Sequence, residues 1–197
     1  MKKTVLITGA TGGIGFLLAT HFAENGWRVI AHYFQSKKQA MSLKNTIEEM
    51  GGEVLMVRAN VASKKEVKKM ANLIKRKIGH VDCLINNAGA VYSGGEWQKI
   101  TEDKFYKTIG VNTYGVLNVF QEIFPLMKKG VVVNISSLRG LLGAKDVVSY
   151  AAAKAGVTNL TKSLAKISAP NIRVNCLAFG RMNIGLSLIE DERDLKK

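Results

Sequence analysis

Short apolar runs rich in β-branched residues recur along the chain, at Lys3 to Thr8, Trp27 to Tyr33, Glu53 to Arg58, Asp82 to Asn86, Val131 to Ser136 and Ile172 to Leu177. Within them apolar residues follow one another without polar alternation, as in Val5-Leu6-Ile7 and Val131-Val132-Val133. A strand with one wet face alternates, whereas a strand covered on both faces does not. Between the runs, helical spacing of apolar positions marks residues 13–25, 36–50, 63–78, 102–128 and 149–168. A long crossover after each strand, in place of a hairpin turn, predicts a parallel sheet flanked by helices. The expected fold class is therefore doubly wound α/β with three α/β/α layers. No internal repeat or low-complexity linker interrupts the pattern, and the two prolines, Pro125 and Pro170, fall near helix ends, so residues 1–197 are expected to form a single domain.

Composition narrows the function classes. The formal charge of +14 invites a nucleic-acid reading, yet the cations are dispersed along helical stretches such as Ser63 to Lys77. Such dispersal fits a solvated face, so neither nucleic acid nor membrane is an expected partner. Cys83 and Cys176 both sit in apolar runs and read as buried thiols, while His21, His32 and His80 are scattered, which leaves no metal-ligand spacing. The apolar stretch after Met1-Lys2-Lys3 is too short for a secretory signal, and no run reaches the roughly 18 apolar residues of a membrane span. A cytoplasmic location is expected.

Candidate chemistry begins at Thr8-Gly9-Ala10-Thr11-Gly12-Gly13-Ile14-Gly15, between the first strand and the first helix. Glycines there permit a tight turn and close backbone approach, and exposed amides at the helix start can hold a pyrophosphate. Tyr150 and Lys154 stand four residues apart on a predicted helix, which puts them on one face. A free tyrosine has a pKa of about 10, and a neighbouring ammonium stabilises its phenolate. Ser137, at the end of the fifth strand, can donate a hydrogen bond to a substrate oxygen.

The spacing of the glycine loop, together with Asn86-Asn87-Ala88-Gly89, Asn112 in Gly110-Val111-Asn112-Thr113, Ser137 and Tyr150-Ala151-Ala152-Ala153-Lys154, resembles the short-chain dehydrogenase/reductase family, whose domain is a Rossmann fold. Within it the chain is most similar to 3-oxoacyl-[acyl-carrier-protein] reductases of fatty acid biosynthesis. The resemblance implies an oxidoreductase moving hydride between a nicotinamide coenzyme and a carbonyl or secondary alcohol. It assigns Asn112, Ser137, Tyr150 and Lys154 to catalysis. It assigns Gly9, Thr11, Gly12, Gly13, Ile14, Tyr33, Ser36, Lys37, Asn60, Val61, Asn87, Ala88, Gly89 and Gly180 to coenzyme binding, with Tyr150 and Lys154 in both groups. Lys154 is expected on the nicotinamide ribose, and Asn112 on a water that links Lys154 to solvent. Asn60 stands where the family commonly has an aspartate against the adenine amino group.

Coenzyme and substrate follow from the same comparison. Ala31-His32-Tyr33-Phe34-Gln35-Ser36-Lys37-Lys38 carries no carboxylate for an adenosine 2′-hydroxyl, so the reading favours NADP over NAD. Val91 to Trp97, Leu138 to Val148 and Phe179 to Leu188 are expected to surround the substrate, with an apolar entrance built from Tyr92, Trp97, Leu141, Leu142, Met182 and Leu186. Lys128, Lys129 and Arg173 are candidates for docking an acidic acyl carrier protein. A homodimer or homotetramer through residues 102–128 and 149–168 is implied by the family. Two departures stand out: Ala178-Phe179-Gly180 replaces the usual Pro-Gly pair, and the family continues past the position of Lys197 into a seventh parallel strand. The sixth strand is then the expected sheet edge. A different class of function, a non-catalytic nucleotide-binding regulator or scaffold, would bind coenzyme without consuming it.

Overall fold

The computed structural model describes residues 2–92 and 94–182. Six strands, β1 (Thr4–Ile7), β2 (Arg28–Tyr33), β3 (Val54–Arg58), β4 (Cys83–Asn86), β5 (Gly130–Ser137) and β6 (Ile172–Phe179), form a parallel sheet in the order β3-β2-β1-β4-β5-β6. All six apolar runs become strands.

Their uninterrupted apolar character is explained by two cores. Leu6, Ile30, Leu84 and Val132 pack on one face against Val67, Met70 and Ile74 of α3 (Lys64–Lys77) and Val119 and Ile123 of α5 (Gly115–Ile123). Val5, Ile7, Val29, Ala31 and Ile85 point the other way, toward Ala19 and Ala23 of α1 (Gly13–Glu24) and Leu43 and Ile47 of α2 (Lys37–Glu49). Side chains alternate between sheet faces, so a sheet covered on both demands apolar residues throughout. Each fully buried Leu, Ile or Val contributes about 1.5–3 kcal/mol.

The long helix expected over 102–128 is corrected. It divides into α4 (Glu102–Ile109), a π-helical turn (Gly110–Tyr114), α5 and a 3₁₀ turn (Phe124–Leu126) that contains Pro125. Val61, beyond the end of β3, crowds the start of α5, where a Cβ on Gly115 would come within 2.8 Å of its Cγ2. The wide turn beside this contact carries Asn112 inward, fully buried. Such π-turns recur at functional sites.

Two further elements frame the site. Ser63 caps α3 by accepting from Glu66 N at 3.4 Å, and the Glu66 carboxylate accepts from Asn60 N at 2.9 Å, which fixes the loop after β3. Helix α7 (Val148–Ser168) packs over β5 and β6, and among the described residues β6 pairs on one side only. Arg173, Asn175 and Leu177 are exposed along it. Cys83 is buried and Cys176 half-buried, both as free thiols. Among the described residues no His, Cys, Asp and Glu group could hold a metal, and no helix is long and apolar enough to cross a membrane.

Candidate active site

Strand order reverses around β1, which has β2 on one side and β4 on the other. The connections leaving these strands diverge at their carboxyl ends, and such a switch point opens a crevice. A cleft of about 680 Å³ lies there, within the range of roughly 300–1,000 Å³ typical of ligand sites.

The glycine loop forms one wall. Gly9 has φ +63°, a conformation that favours glycine, and a Cβ on Gly15 would overlap the Gly9 carbonyl oxygen. The loop is tied down from two sides. Asn87 Nδ2 donates to the carbonyls of Thr8 (2.9 Å) and Gly9 (3.0 Å), while Thr8 Oγ1 accepts from the amides of Asn87 (2.9 Å) and Ala88 (3.0 Å). On the other side, buried His32 accepts from Gly9 N on Nδ1 at 3.0 Å, and its main-chain oxygen accepts from Ala10 N at 2.8 Å. His32 Nε2 lies 2.9 Å from the carbonyl of Ala59, which fixes the neutral tautomer with the proton on Nε2. Burial holds its pKa down at about 4.

With Gly9, Ala10 and Gly12 amides committed within the protein, the amides of Gly13 and Ile14 remain as first-turn donors of α1 on the cleft wall. A glycine-rich cradle, ending in helix amides and opening on a cleft of this volume, fits a nicotinamide dinucleotide.

The opposite wall comes from β5 and α7. Lys154 is 3% exposed, and its Nζ donates to Ile135 O at 2.7 Å and lies 5.5 Å from the ring centre of Tyr150. Burial lowers its pKa from 10.5 to about 8, with Cys176 opposing that shift weakly. The Ser136 hydroxyl, donating to Lys154 O at 2.9 Å, clips α7 to β5 at this point. Ser137 Oγ accepts from Arg139 N at 3.2 Å, so its own proton is left to donate into the cleft.

Asn112 sits behind this wall. Its Nδ2 donates to Ala90 O (2.7 Å) and Thr108 O (2.9 Å), while its buried Oδ1 has no protein partner. A Cβ on Gly89 would stand 2.8 Å from that oxygen and 3.7 Å from Lys154 Nζ. Glycine at 89 therefore keeps open the passage between Asn112 and Lys154.

Of the positions expected to hold coenzyme, Gly9, Thr11, Gly12, Gly13, Ile14, Tyr33, Ser36, Asn60, Val61, Asn87, Ala88, Gly89, Tyr150, Lys154 and Gly180 all line the cleft, together with Ser137. Lys37 does not: it is exposed on the first turn of α2, outside the cleft lining. Asn60 Oδ1 already accepts from Ala62 N at 3.0 Å, leaving one lone pair for an adenine amino group.

Around the substrate end, Tyr92, Leu138, Phe179 and Met182 line the cleft, but Trp97, Leu141 and Leu142 stay outside it, and Leu186 lies outside the described residues. An unexpected charged pair enters here. Arg139 lines the cleft and meets Asp146 at 2.6 Å, while the Asp146 carbonyl accepts from Gly95 N at 2.8 Å. One residue thus joins the loop before α7 to the loop after β4. His32 also escaped sequence reasoning as a site residue; its one signal was a polar side chain inside an apolar strand.

Comparison with known proteins agrees with this geometry. The family model described as short chain dehydrogenase matches residues 3–190. The 3-oxoacyl-[acyl-carrier-protein] reductase of Staphylococcus epidermidis is 36% identical over 184 residues, covering 91% of this chain and 75% of that protein. Among solved structures, NAD+-bound xylitol dehydrogenase superposes with a TM-score of 0.91 at 28% identity, covering 98% of this chain and 75% of the other. A variant of actinorhodin polyketide ketoreductase with NADPH gives 0.90 at 27%, with coverages of 98% and 75%. Fold, cleft and sequence together place the chain in the short-chain dehydrogenase/reductase family of nicotinamide-dependent oxidoreductases.

Proposed function

We propose that the chain is an NADP-dependent carbonyl reductase in which Ser137, Tyr150, Lys154 and Asn112 form the reaction centre. The observation that carries this reading is the buried Lys154 ammonium placed beside the Tyr150 ring, across the cleft from a glycine-rich cradle. A reduced nicotinamide coenzyme, held by the Gly13 and Ile14 amides at one end and Lys154 at the other, would supply the hydride for the carbonyl carbon. Tyr150 gives its proton to the oxygen that becomes an alkoxide, and Ser137 steadies that oxygen with its free hydroxyl proton. Lys154 spends one of its three donors on Ile135 O, so two remain for ribose hydroxyls and for the Tyr150 oxygen. Asn112 Oδ1 offers an acceptor to a water beside Lys154, through which the proton lost by Tyr150 is restored.

NADP is favoured because the β2 end presents Tyr33, Phe34, Gln35 and Ser36 to the cleft and no carboxylate. The relative from Staphylococcus epidermidis makes a 3-oxoacyl thioester on an acyl carrier protein the first substrate to try. Docking through Lys128, Lys129 and Arg173 needs revision. They precede β5 or open β6, at the amino ends of the strands, whereas the cleft is at the carboxyl ends. The eight residues of β5 at about 3.3 Å each separate the two by roughly 26 Å, so a carrier held there faces away from this chain's own Tyr150. A homo-oligomer is supported by exposed Phe105, Tyr106 and Tyr114 around the π-turn and Ile167 on α7.

The test is NADPH consumption with a panel of ketones and β-ketoacyl thioesters. Turnover that is absent across the panel, with coenzyme still bound, would favour the non-catalytic alternative.

A further inference from the structure

We infer that Arg58, at the end of β3, is the residue that selects a 2′-phosphorylated coenzyme; the inference rests on the proposed NADP preference and names the group behind it. Ser36, Lys37 and Lys38, the sequence candidates, lie on the loop after β2 and the start of α2. Ser36 lines the cleft, whereas Lys37, Lys38 and Arg58 itself stand outside its lining, so contacts and not lining membership single out Arg58. Arg58 reaches the same loop from the neighbouring strand. It is the register partner of Tyr33 in the parallel β2–β3 pair, one residue before Ala59 and two before Asn60, both of which line the cleft. Its Nε donates to Phe34 O at 2.9 Å, and its guanidinium carbon lies 5.8 Å from the Phe34 ring centre. Phe34 itself lines the cleft.

These contacts orient the guanidinium without using its fork. Of five N–H donors, the Phe34 carbonyl takes the one on Nε, and the four on the two Nη groups remain. Among the described residues, none of the ion pairs involves Arg58. The first turn of α2 contains no acid to compete for it. An exposed arginine held by the loop after the neighbouring strand, with its fork unused and no carboxylate paired to it among the described residues, is arranged for a bidentate phosphate. Its position over the β2 end is where the ribose 2′ substituent discriminates the two coenzymes in this fold. A hydroxyl in that place gains little from the fork, whereas a phosphate gains a charge-assisted pair.

The experiment is direct binding of NADPH and NADH to the purified full chain by nicotinamide fluorescence, with no substrate present. A parallel thermal-shift series uses adenosine 2′,5′-bisphosphate against 5′-AMP. Wild type is expected to prefer NADPH. Arg58→Gln should weaken NADPH by about 10–100-fold, the range of hydrogen bonds to charged groups, and leave NADH within about twofold, while abolishing the extra stabilisation by the bisphosphate. Arg58→Lys should fall between, keeping the charge and losing the fork. Equal weakening of both coenzymes in Arg58→Gln would mean that Arg58 only braces the loop and would overturn the assignment. An unchanged preference in that variant would overturn it too, with the NADP reading intact. A wild type that binds NADH as well as NADPH removes the coenzyme reading and the inference together.

Discussion

His32 accepts the Gly9 amide at 3.0 Å through an imidazole that stays neutral because it is buried. The cradle for the coenzyme is therefore tied to the protonation state of one side chain. Its pKa is about 4 in the fold against an ordinary 6.5. Above pH 6.5 both folded and unfolded chains hold a neutral imidazole, and the contribution is complete. As the pH falls below 6.5 the unfolded chain takes up a proton that the native chain refuses, so stability declines, by about 3 kcal/mol at pH 4. Urea midpoints at pH 7, 6 and 5 should show this slope, and His32→Leu should flatten it. That variant should also lose about 1–3 kcal/mol at pH 7, because Gly9 N and Ala59 O both lose their partner, the second in a fully buried setting. An unchanged slope in His32→Leu would show that other groups carry the acid sensitivity.

The loop is as demanding in sterics as in hydrogen bonds. Gly15→Ala sets a methyl into the Gly9 carbonyl and within 2.8 Å of Ala10 Cα and Asn87 Nδ2. Relief requires moving the loop against its Asn87 and His32 ties, so coenzyme affinity should fall at least tenfold, and overpacking costs roughly 1–3 kcal/mol of stability. Gly26→Ala makes a useful contrast: nothing lies within 4 Å of its added methyl, though its φ of +76° still carries strain. It should cost stability with no change in coenzyme affinity. Titration of both variants with NADPH separates the effects.

These two residues also show what the sequence could and could not reveal. The glycines were legible because a left-handed turn between a strand and a helix needs them whatever the tertiary packing. Tyr150 and Lys154 were legible because helical spacing alone puts them on one face. His32 was hidden, since its role depends on the parallel pairing that brings Ala59 and Gly9 to its two ring nitrogens. Asn112 was placed by resemblance, but the π-turn that buries it stands where α5 passes so close to Val61 that a side chain at Gly115 would not fit, a proximity of distant segments that spacing does not show. Arg139 and Asp146 are seven residues apart, and only the path of the loop between α6 (Arg139–Leu142) and α7 makes them a pair.

Under the proposed mechanism Tyr150 supplies the proton and contributes little to holding the coenzyme. Tyr150→Phe should then lower kcat by about 10²–10⁴-fold, the usual range for a positioned general acid. NADPH affinity should stay within a few fold, because the glycine cradle is untouched. Ser137→Ala should act in the same sense through the loss of one donor to the developing alkoxide. Stopped-flow traces of NADPH consumption, with coenzyme binding measured separately, distinguish a chemical defect from a binding one. A Tyr150→Phe protein with full turnover would remove the assignment.

Lys154 pits stability against function. Its ammonium is buried with one carbonyl partner in the protein, and burial brings the pKa from 10.5 to about 8. Between pH 8 and 10.5 the unfolded chain still holds a proton that the native lysine has released, so the coenzyme-free protein should gain stability as the pH rises through that window, by about 3 kcal/mol in all. Lys154→Met removes the buried charge, which offsets the loss of its bond to Ile135 O, worth roughly 1–3 kcal/mol if that carbonyl is left unpaired. The variant should be no less stable than wild type at pH 7, show no rise from pH 8 to 10.5, and be almost inactive. Thermal unfolding at pH 7 and pH 9.5, beside turnover at pH 7, tests all three. Marked destabilisation of Lys154→Met at pH 7 would show that the ammonium holds α7 against β5 rather than being tolerated there for chemistry.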